Sequence, residues 1–195
     1  VLGDSTVAAV KLGMRGSLEM VDTVVELLQA NPHLPMVCDP VLRAGGGGRL
    51  GKDEVGYAMR ERLLPLATIA TPNLPEARIL AELPDGSADE CAEKLLPFCR
   101  HLLITGGHGD EHEVHNRLYS RDGSRHTFTC HRLPGSYHGS GCTLASTLAG
   151  RLAIGEELVS AVQTALNYTW RTLRDAEQLG QGQFVPRRLP LDFCS

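Results

Sequence analysis

A chain of 195 residues, 42% of them hydrophobic, is long enough for one well-packed domain. Two small domains would also fit that length, but a single domain over 1–195 is the expectation. The formal charge is −4, from 19 basic against 23 acidic residues with no block of like charge, which argues against nucleic acid or an anionic membrane as partner and for a small molecule.

Residues 6–12, "TVAAVKL", form a short β-branched apolar run and predict the first strand; "GMRGS" then turns the chain, with Ser17 placed to cap a helix. Val21, Val24, Val25 and Leu28 fall on one helical face, and Asn31-Pro32 stops that helix before "PMVCD" at 35–39, a buried strand. The pattern repeats with a glycine-rich loop at 45–48, a helix from 53 to about 64, a strand at 67–71 and a proline-bounded helix start in "PNLPEARIL". Ser87 and Glu90 have the spacing of a capping box for a helix running toward Cys99, and "HLLIT" at 101–105 is the next strand. Such alternation implies a parallel sheet covered by helices. From Asn116 the rhythm changes: "NRLYS" and "RHTFTCHRL" flank an Asp122-Gly123 turn and read as an antiparallel hairpin. Two helices follow. One begins near Cys142 and carries Leu144, Leu148 and Leu152; the other, from about Glu156, carries Val162, Leu166 and Leu173. Apart from the glycine run, the chain shows no internal repeat and no low-complexity linker.

Six cysteines, at 38, 91, 99, 130, 142 and 194, make neither a C-x-x-C pair nor a secreted-type framework. The opening residues lack the features of a signal peptide, and no apolar run approaches the roughly 18 residues that span a bilayer. A soluble, cytoplasmic protein with reduced thiols is the expectation.

In an open parallel sheet, ligands bind beyond the carboxyl ends of the strands. That rule gathers "DPV" (39–41), "TPNLPE" (71–76), "TGGH" (105–108) and "GSGC" (139–142) as candidates to converge. Glycines that open a helix leave its unpaired amides accessible to a phosphate, and the same field favours the thiolate of a cysteine placed there. Cys142 therefore reads either as a base beside a bound phosphoryl group or as a buried helix-start cysteine with glycines used for close packing. Asp39 and Glu76, at or just past strand ends, read either as a carboxylate pair for Mg²⁺ or as an N-cap and a solvated charge.

Three further features are weaker. "GGGRLGK" at 46–52 matches a P-loop, but Asp53 follows where a Ser or Thr should bind Mg²⁺, so it reads as a flexible loop, with a lid as the functional alternative. His108, His112 and His115 fit no standard zinc spacing and read as a solvated loop. Trp170 reads as core rather than as a cofactor platform.

Taken in order and spacing, "VKLGM" (10–14), "DPV" (39–41), "TPNLPEA" (71–77), "GGH" (106–108) and "HGSGCTLAS" (138–146) resemble the hydroxymethylpyrimidine/phosphomethylpyrimidine kinase family of thiamin biosynthesis, within the ribokinase-like superfamily. The resemblance covers nearly the whole chain, and "GSGC" is its most specific element, because most ribokinase-like sugar kinases carry aspartate in place of this cysteine. It implies an α/β fold, the ribokinase-like three-layer sandwich: a mostly parallel central sheet, helices on both faces and a late antiparallel hairpin. It also implies an enzyme using ATP and Mg²⁺ to phosphorylate 4-amino-5-hydroxymethyl-2-methylpyrimidine and then its monophosphate. By the same resemblance Cys142 is the catalytic base, Gly139, Ser140 and Gly141 form the anion hole, and Asp39 and Glu76 are the Mg-ATP carboxylates supported by Asn73. Thr105 and Gly107 stand at ATP-binding positions, Met14 and Val41 wall the pyrimidine pocket together with Cys142, and a homodimer is expected.

Two departures from the family pattern stand out. Thr105 occupies the place of a usual lysine that reaches the ATP phosphates; Arg43 or Lys52, or Mg²⁺ and backbone amides, would have to offset that loss. The family's chain also begins some tens of residues earlier, with a strand and glycine-rich turn that help form the pyrimidine pocket. Two alternatives remain at this point, a pyridoxal-type vitamin kinase, which normally uses aspartate as base, and a catalytically silent ligand-binding paralogue.

Overall fold

The computed structural model describes residues 3–13, 17–42, 52–107 and 112–189. Its elements in chain order are β1 (Val10–Gly13), α1 (Leu18–Ala30), β2 (Met36–Asp39), α2 (Lys52–Ala58), β3 (Ile69–Ala70), α3 (Leu74–Ala81), α4 (Ala88–Leu95), β4 (His101–Ile104), β5 (Glu113–Ser120), β6 (Arg125–His131), α5 (Ser140–Ala153) and α6 (Leu158–Arg174). The six strands lie side by side in sequence order. β1 to β4 are parallel, whereas β5 and β6 run antiparallel as the hairpin expected from the Asp122-Gly123 turn.

Alternation along each strand divides the core into two layers. Met36, Cys38, Ala70, Leu102, Ile104 and Tyr119 face a cluster built with Val21, Val25 and Leu28 of α1, Met59 and Leu63 after α2, Leu80 of α3, and Cys91 and Leu95 of α4. Val37, Ile69, Leu103 and Leu118 point the other way and meet Leu144 and Leu148 of α5 and Val162 and Ala165 of α6. Helices therefore cover both faces, which is the ribokinase-like three-layer arrangement. Fully burying a Leu or Val contributes about 1.5–3 kcal/mol, so each layer is held by several such residues rather than by hydrogen bonds alone.

Local chemistry explains the element starts. Asn73 caps α3, its side chain accepting from Glu76 N while Glu76 Oε2 accepts from Asn73 N at 2.9 Å. Ser87 and Glu90 form the second capping box, at the start of α4. Ser17 occupies the N-cap of α1 as expected but makes no side-chain capping bond.

Several boundaries differ from the sequence reading. The first strand begins at Val10 rather than near residue 6, because only Val10 to Gly13 find partners on β2. The strand expected at 67–71 shortens to Ile69–Ala70, and the helix expected at 53–64 passes from α-helix into a wider turn at Met59–Leu63 before Pro65 closes it. Strand β5 starts at Glu113, three residues before Asn116. The penultimate helix starts at Ser140, and Leu152, Leu166 and Leu173 are half-buried rather than core.

Candidate active site

The carboxyl ends of β2, β3 and β4 deliver three loops to one edge of the sheet. β2 ends on Asp39, whose carbonyl accepts from Val41 N at 2.9 Å. After β3, buried Thr71 donates its N–H to Cys38 O at 2.8 Å and leads into Pro72-Asn73. After β4, Thr105 is stitched to that loop, its N–H donating to Pro72 O at 2.9 Å and its carbonyl accepting from Leu74 N at 3.3 Å. Asn73, Glu76 and Thr105 thus share one small framework. Gly106 passes so close to β5 that a Cβ there would lie 2.6 Å from His115 O, and Gly107 has φ +104°, so both positions require glycine.

The fourth loop arrives from the opposite layer. Helix α5 packs against β1 and β2, which sets its first turn over the Asp39 carboxylate: a Cβ at Gly141 would lie 3.9 Å from Asp39 Oδ1. Gly139 caps the helix in the left-handed region at φ +86°. The amides of Ser140, Gly141 and Cys142 precede the first intrahelical bond, which runs from Thr143 N to Gly139 O. Cys142 is exposed at this turn, not buried, which removes the packing alternative for that cysteine.

Asp39 is almost fully buried, and Lys11 Nζ from β1 stands 3.3 Å from its Oδ2. Burial pushes the Asp39 carboxyl above the ordinary aspartate range; the Lys11 charge and hydrogen bond, and then the Cys142 side chain, pull it back. Among the described residues Oδ2 meets no donor in full hydrogen-bond alignment, and the Lys11 ammonium is the charge that faces it. Glu76 is buried too, held by its capping bond.

A groove of about 440 Å³ connects the two sides of this edge, lined by Thr105, Gly107, Arg132, Ser140, Gly141 and Trp170 among others. Arg132 Nη1 donates to Gly107 O at 3.1 Å. Trp170 is half-buried on the groove wall with Nε1 donating to His131 O at 2.9 Å, so it is a groove residue and not core.

The sequence from residue 1 to 187 matches the family described as phosphomethylpyrimidine kinase. The chain belongs to the phosphomethylpyrimidine kinase family. It is 40% identical to the hydroxymethylpyrimidine/phosphomethylpyrimidine kinase of Streptomyces coelicolor, over 93% of this chain and 68% of that protein. It is 34% identical to the Haemophilus influenzae protein of the same name, over 93% of this chain and 71% of the relative. The thiamine biosynthesis multifunctional protein of Corynebacterium glutamicum is also 34% identical, and there the chain spans 24% of the longer protein. Among solved structures, an ADP complex of Bacillus subtilis pyridoxal kinase superposes with TM-score 0.87 at 25% identity, covering 96% of this chain and 73% of that one. A phosphomethylpyrimidine kinase from Clostridium difficile gives 0.70 at 30% identity, covering 87% and 71%.

Within this phosphomethylpyrimidine kinase fold, the structure brings Asp39, Gly139, Ser140, Gly141 and Cys142 together, and sets Asn73, Glu76, Thr105 and Gly107 along the same edge. Val41 is half-buried just past Asp39. Met14, Arg43, His108 and the glycine loop at 45–48 lie outside the described residues, as do the side chains of Lys52 and Asp53. Of the other histidines, His112 is exposed and His115 Nδ1 lies 3.1 Å from Thr129 Oγ1.

Sequence reasoning missed Lys11, Arg132 and Arg188. Lys11 had a signal, a charge inside an otherwise apolar strand pattern. Arg132 and Arg188 had none, since both are brought in by tertiary contacts, Arg188 to a residue 45 positions away.

The donor chemistry suits Mg²⁺. The site offers two buried carboxylates, one with an oxygen lacking an aligned hydrogen bond, and Mg²⁺ is commonly held by one or two carboxylates together with substrate phosphates and water. Among the described residues no group of three or more His, Cys, Asp or Glu is assembled into a protein-only cage. No helix among them is long and apolar enough to cross a membrane.

Proposed function

We propose that residues 1–195 act as one cytoplasmic kinase domain that transfers the γ-phosphoryl group of ATP to 4-amino-5-hydroxymethyl-2-methylpyrimidine, and then to its monophosphate, in thiamin biosynthesis. The observation that carries this reading is the exposed Cys142 in the first turn of α5, beside three open amides and the buried Asp39 carboxylate. The hydroxymethyl oxygen attacks the terminal phosphorus as Cys142 Sγ takes the hydroxyl proton; the bond to the bridging oxygen breaks and ADP leaves. The amides of Ser140, Gly141 and Cys142 receive the charge that develops on the transferring oxygens. Asp39 and Glu76 would hold Mg²⁺, which neutralises phosphate charge when bound. Asn73 keeps Glu76 in place through the capping box. The groove beside Thr105 and Gly107 takes the nucleotide, and Val41 borders the pyrimidine. A homodimer is part of the same proposal.

The second phosphorylation needs no base, because a phosphate oxygen is already ionised at neutral pH. Cys142→Ala tests the assignment: the first step falls about 100-fold or more and the second much less, with the far-UV spectrum unchanged. Normal kcat for the first step in that variant would remove Cys142 from the role of base.

One observation favours a second reading, the close superposition on pyridoxal kinase. Comparing kcat/KM for pyridoxal and for the pyrimidine alcohol separates the two. Turnover of neither by a folded sample would leave a silent ligand-binding paralogue.

A further inference from the structure

Arg188 comes from the segment that follows α6, and backbone contacts fix where that segment runs. Phe184 bridges to Tyr137, its N–H donating to Ser136 O and its carbonyl accepting from His138 N, both at 2.9 Å. Arg187 N donates to Thr172 O at 2.9 Å, and the Tyr168 hydroxyl donates to Arg188 O at 2.6 Å. The backbone that carries Arg188 is therefore held against both the 136–138 loop and α6.

From there the side chain reaches the first turn of α5. Arg188 Nε donates to Thr143 Oγ1 at 3.0 Å, and the Thr143 hydroxyl donates onward to Gly139 O at 2.8 Å. Nη2 lies 2.9 Å from where a Cβ on Gly139 would stand, so the guanidinium uses the room that this glycine leaves. Neighbouring Arg187 is matched by Glu177 at 2.9 Å, but among the described residues no acidic side chain pairs with Arg188. Its Nε is occupied by Thr143; among the described residues Nη1 and Nη2 have no hydrogen-bond partner, and Nη2 lies at the same turn as the open amides of Ser140, Gly141 and Cys142. A planar guanidinium of this kind matches two oxygens of a phosphate at once.

We propose that Arg188 contacts the terminal phosphoryl group of the bound nucleoside triphosphate at the start of α5 and holds its charge during transfer. The inference rests on the kinase reading above. It assigns the cation at that turn to a residue that reaches the site only through the path of the C-terminal segment.

The test is calorimetric titration of the full chain, with Mg²⁺, using a methylene-bridged ATP analogue and ADP as probes, on wild type, Arg188→Gln and Arg188→Lys. Gln removes the charge while keeping a donor for Thr143. The expected result is that Arg188→Gln weakens the analogue about tenfold or more, changes ADP less than about threefold, and lowers kcat by about 10- to 1000-fold, with Arg188→Lys recovering part of the loss. An arginine that only tethers the C-terminal segment would lower the melting temperature in Arg188→Gln and shift both ligands alike. That outcome, or an unchanged affinity ratio with unchanged turnover, overturns the proposal. If wild type binds the analogue but does not phosphorylate the pyrimidine, the kinase reading fails, and the affinity ratio still decides on Arg188.

Discussion

Lys11 Nζ stands 3.3 Å from Asp39 Oδ2, an ion pair between adjacent strands β1 and β2 directly under the first turn of α5. A Cβ at Gly13 would fall 2.0 Å from the same Nζ, so the lysine folds back across the strand end through space that only glycine leaves. Lys11→Met keeps the bulk of the stem and leaves the buried carboxylate without its counter-charge. The variant should lose about 1–3 kcal/mol in urea unfolding, and adding Asp39→Asn should restore part of that loss. A double variant that simply sums the two single losses would show that the pair is not coupled.

Glu76 caps α3, and under the proposed function it would also hold Mg²⁺; two substitutions divide these duties. Asn73→Ala removes a capping partner and should cost about 1 kcal/mol. Glu76→Gln keeps an acceptor for Asn73 N but removes the charge, so stability should stay within about 0.5 kcal/mol while kcat with Mg-ATP drops at least about tenfold. Equal loss of stability in both, with turnover intact in Glu76→Gln, would leave Glu76 as a helix cap only.

The cysteines should sort by position under a thiol reagent at about pH 8. Burial pushes the Cys38 and Cys99 thiols up to about 12, and raises Cys91 and Cys130 as well, whereas Cys142 lies exposed. Peptide mass mapping should show Cys142 modified ahead of those four, and a methylene-bridged ATP analogue with Mg²⁺ should slow it. Modification of Cys38 or Cys99 at a comparable rate in the folded chain would contradict the packing described.

A pH effect is expected away from the site. His101 Nδ1 lies 2.9 Å from Ser120 Oγ across the β4–β5 pair, and burial holds the imidazole below its ordinary value of 6.5, with Asp122 raising it and Arg100 lowering it. The unfolded chain therefore takes up this proton first. The native state keeps the full contribution above pH 6.5 and loses it as pH falls through the lowered folded value. His101→Gln should flatten the stability curve between about pH 7 and about pH 5, and parallel curves for the two proteins would count against this assignment.

Period and capping made the fold legible. The alternation of apolar runs predicts parallel strands covered by helices, and the Ser87 and Glu90 spacing alone places the start of α4. Boundaries were less legible: residues 6–9 are as apolar as β1 but find no strand partner among the described residues, and Ile69–Ala70 is short because its pairing, not its propensity, ends there. At the site, glycines and carboxylates at strand ends could be read from sequence, since their usefulness follows from local geometry. Lys11 was visible as a charge without an evident partner. Trp170 and Arg188 were not, because a groove wall and a guanidinium at a distant helix start exist only after the chain has folded.

The most direct test of the central claim is the product mass after incubating the protein with Mg-ATP and 4-amino-5-hydroxymethyl-2-methylpyrimidine, with the monophosphate and pyridoxal supplied in parallel reactions. Under the proposed function, mono- and then diphosphate form from the pyrimidine at a rate well above that for pyridoxal. A folded sample that leaves the pyrimidine unphosphorylated, or that turns over only pyridoxal, would contradict it.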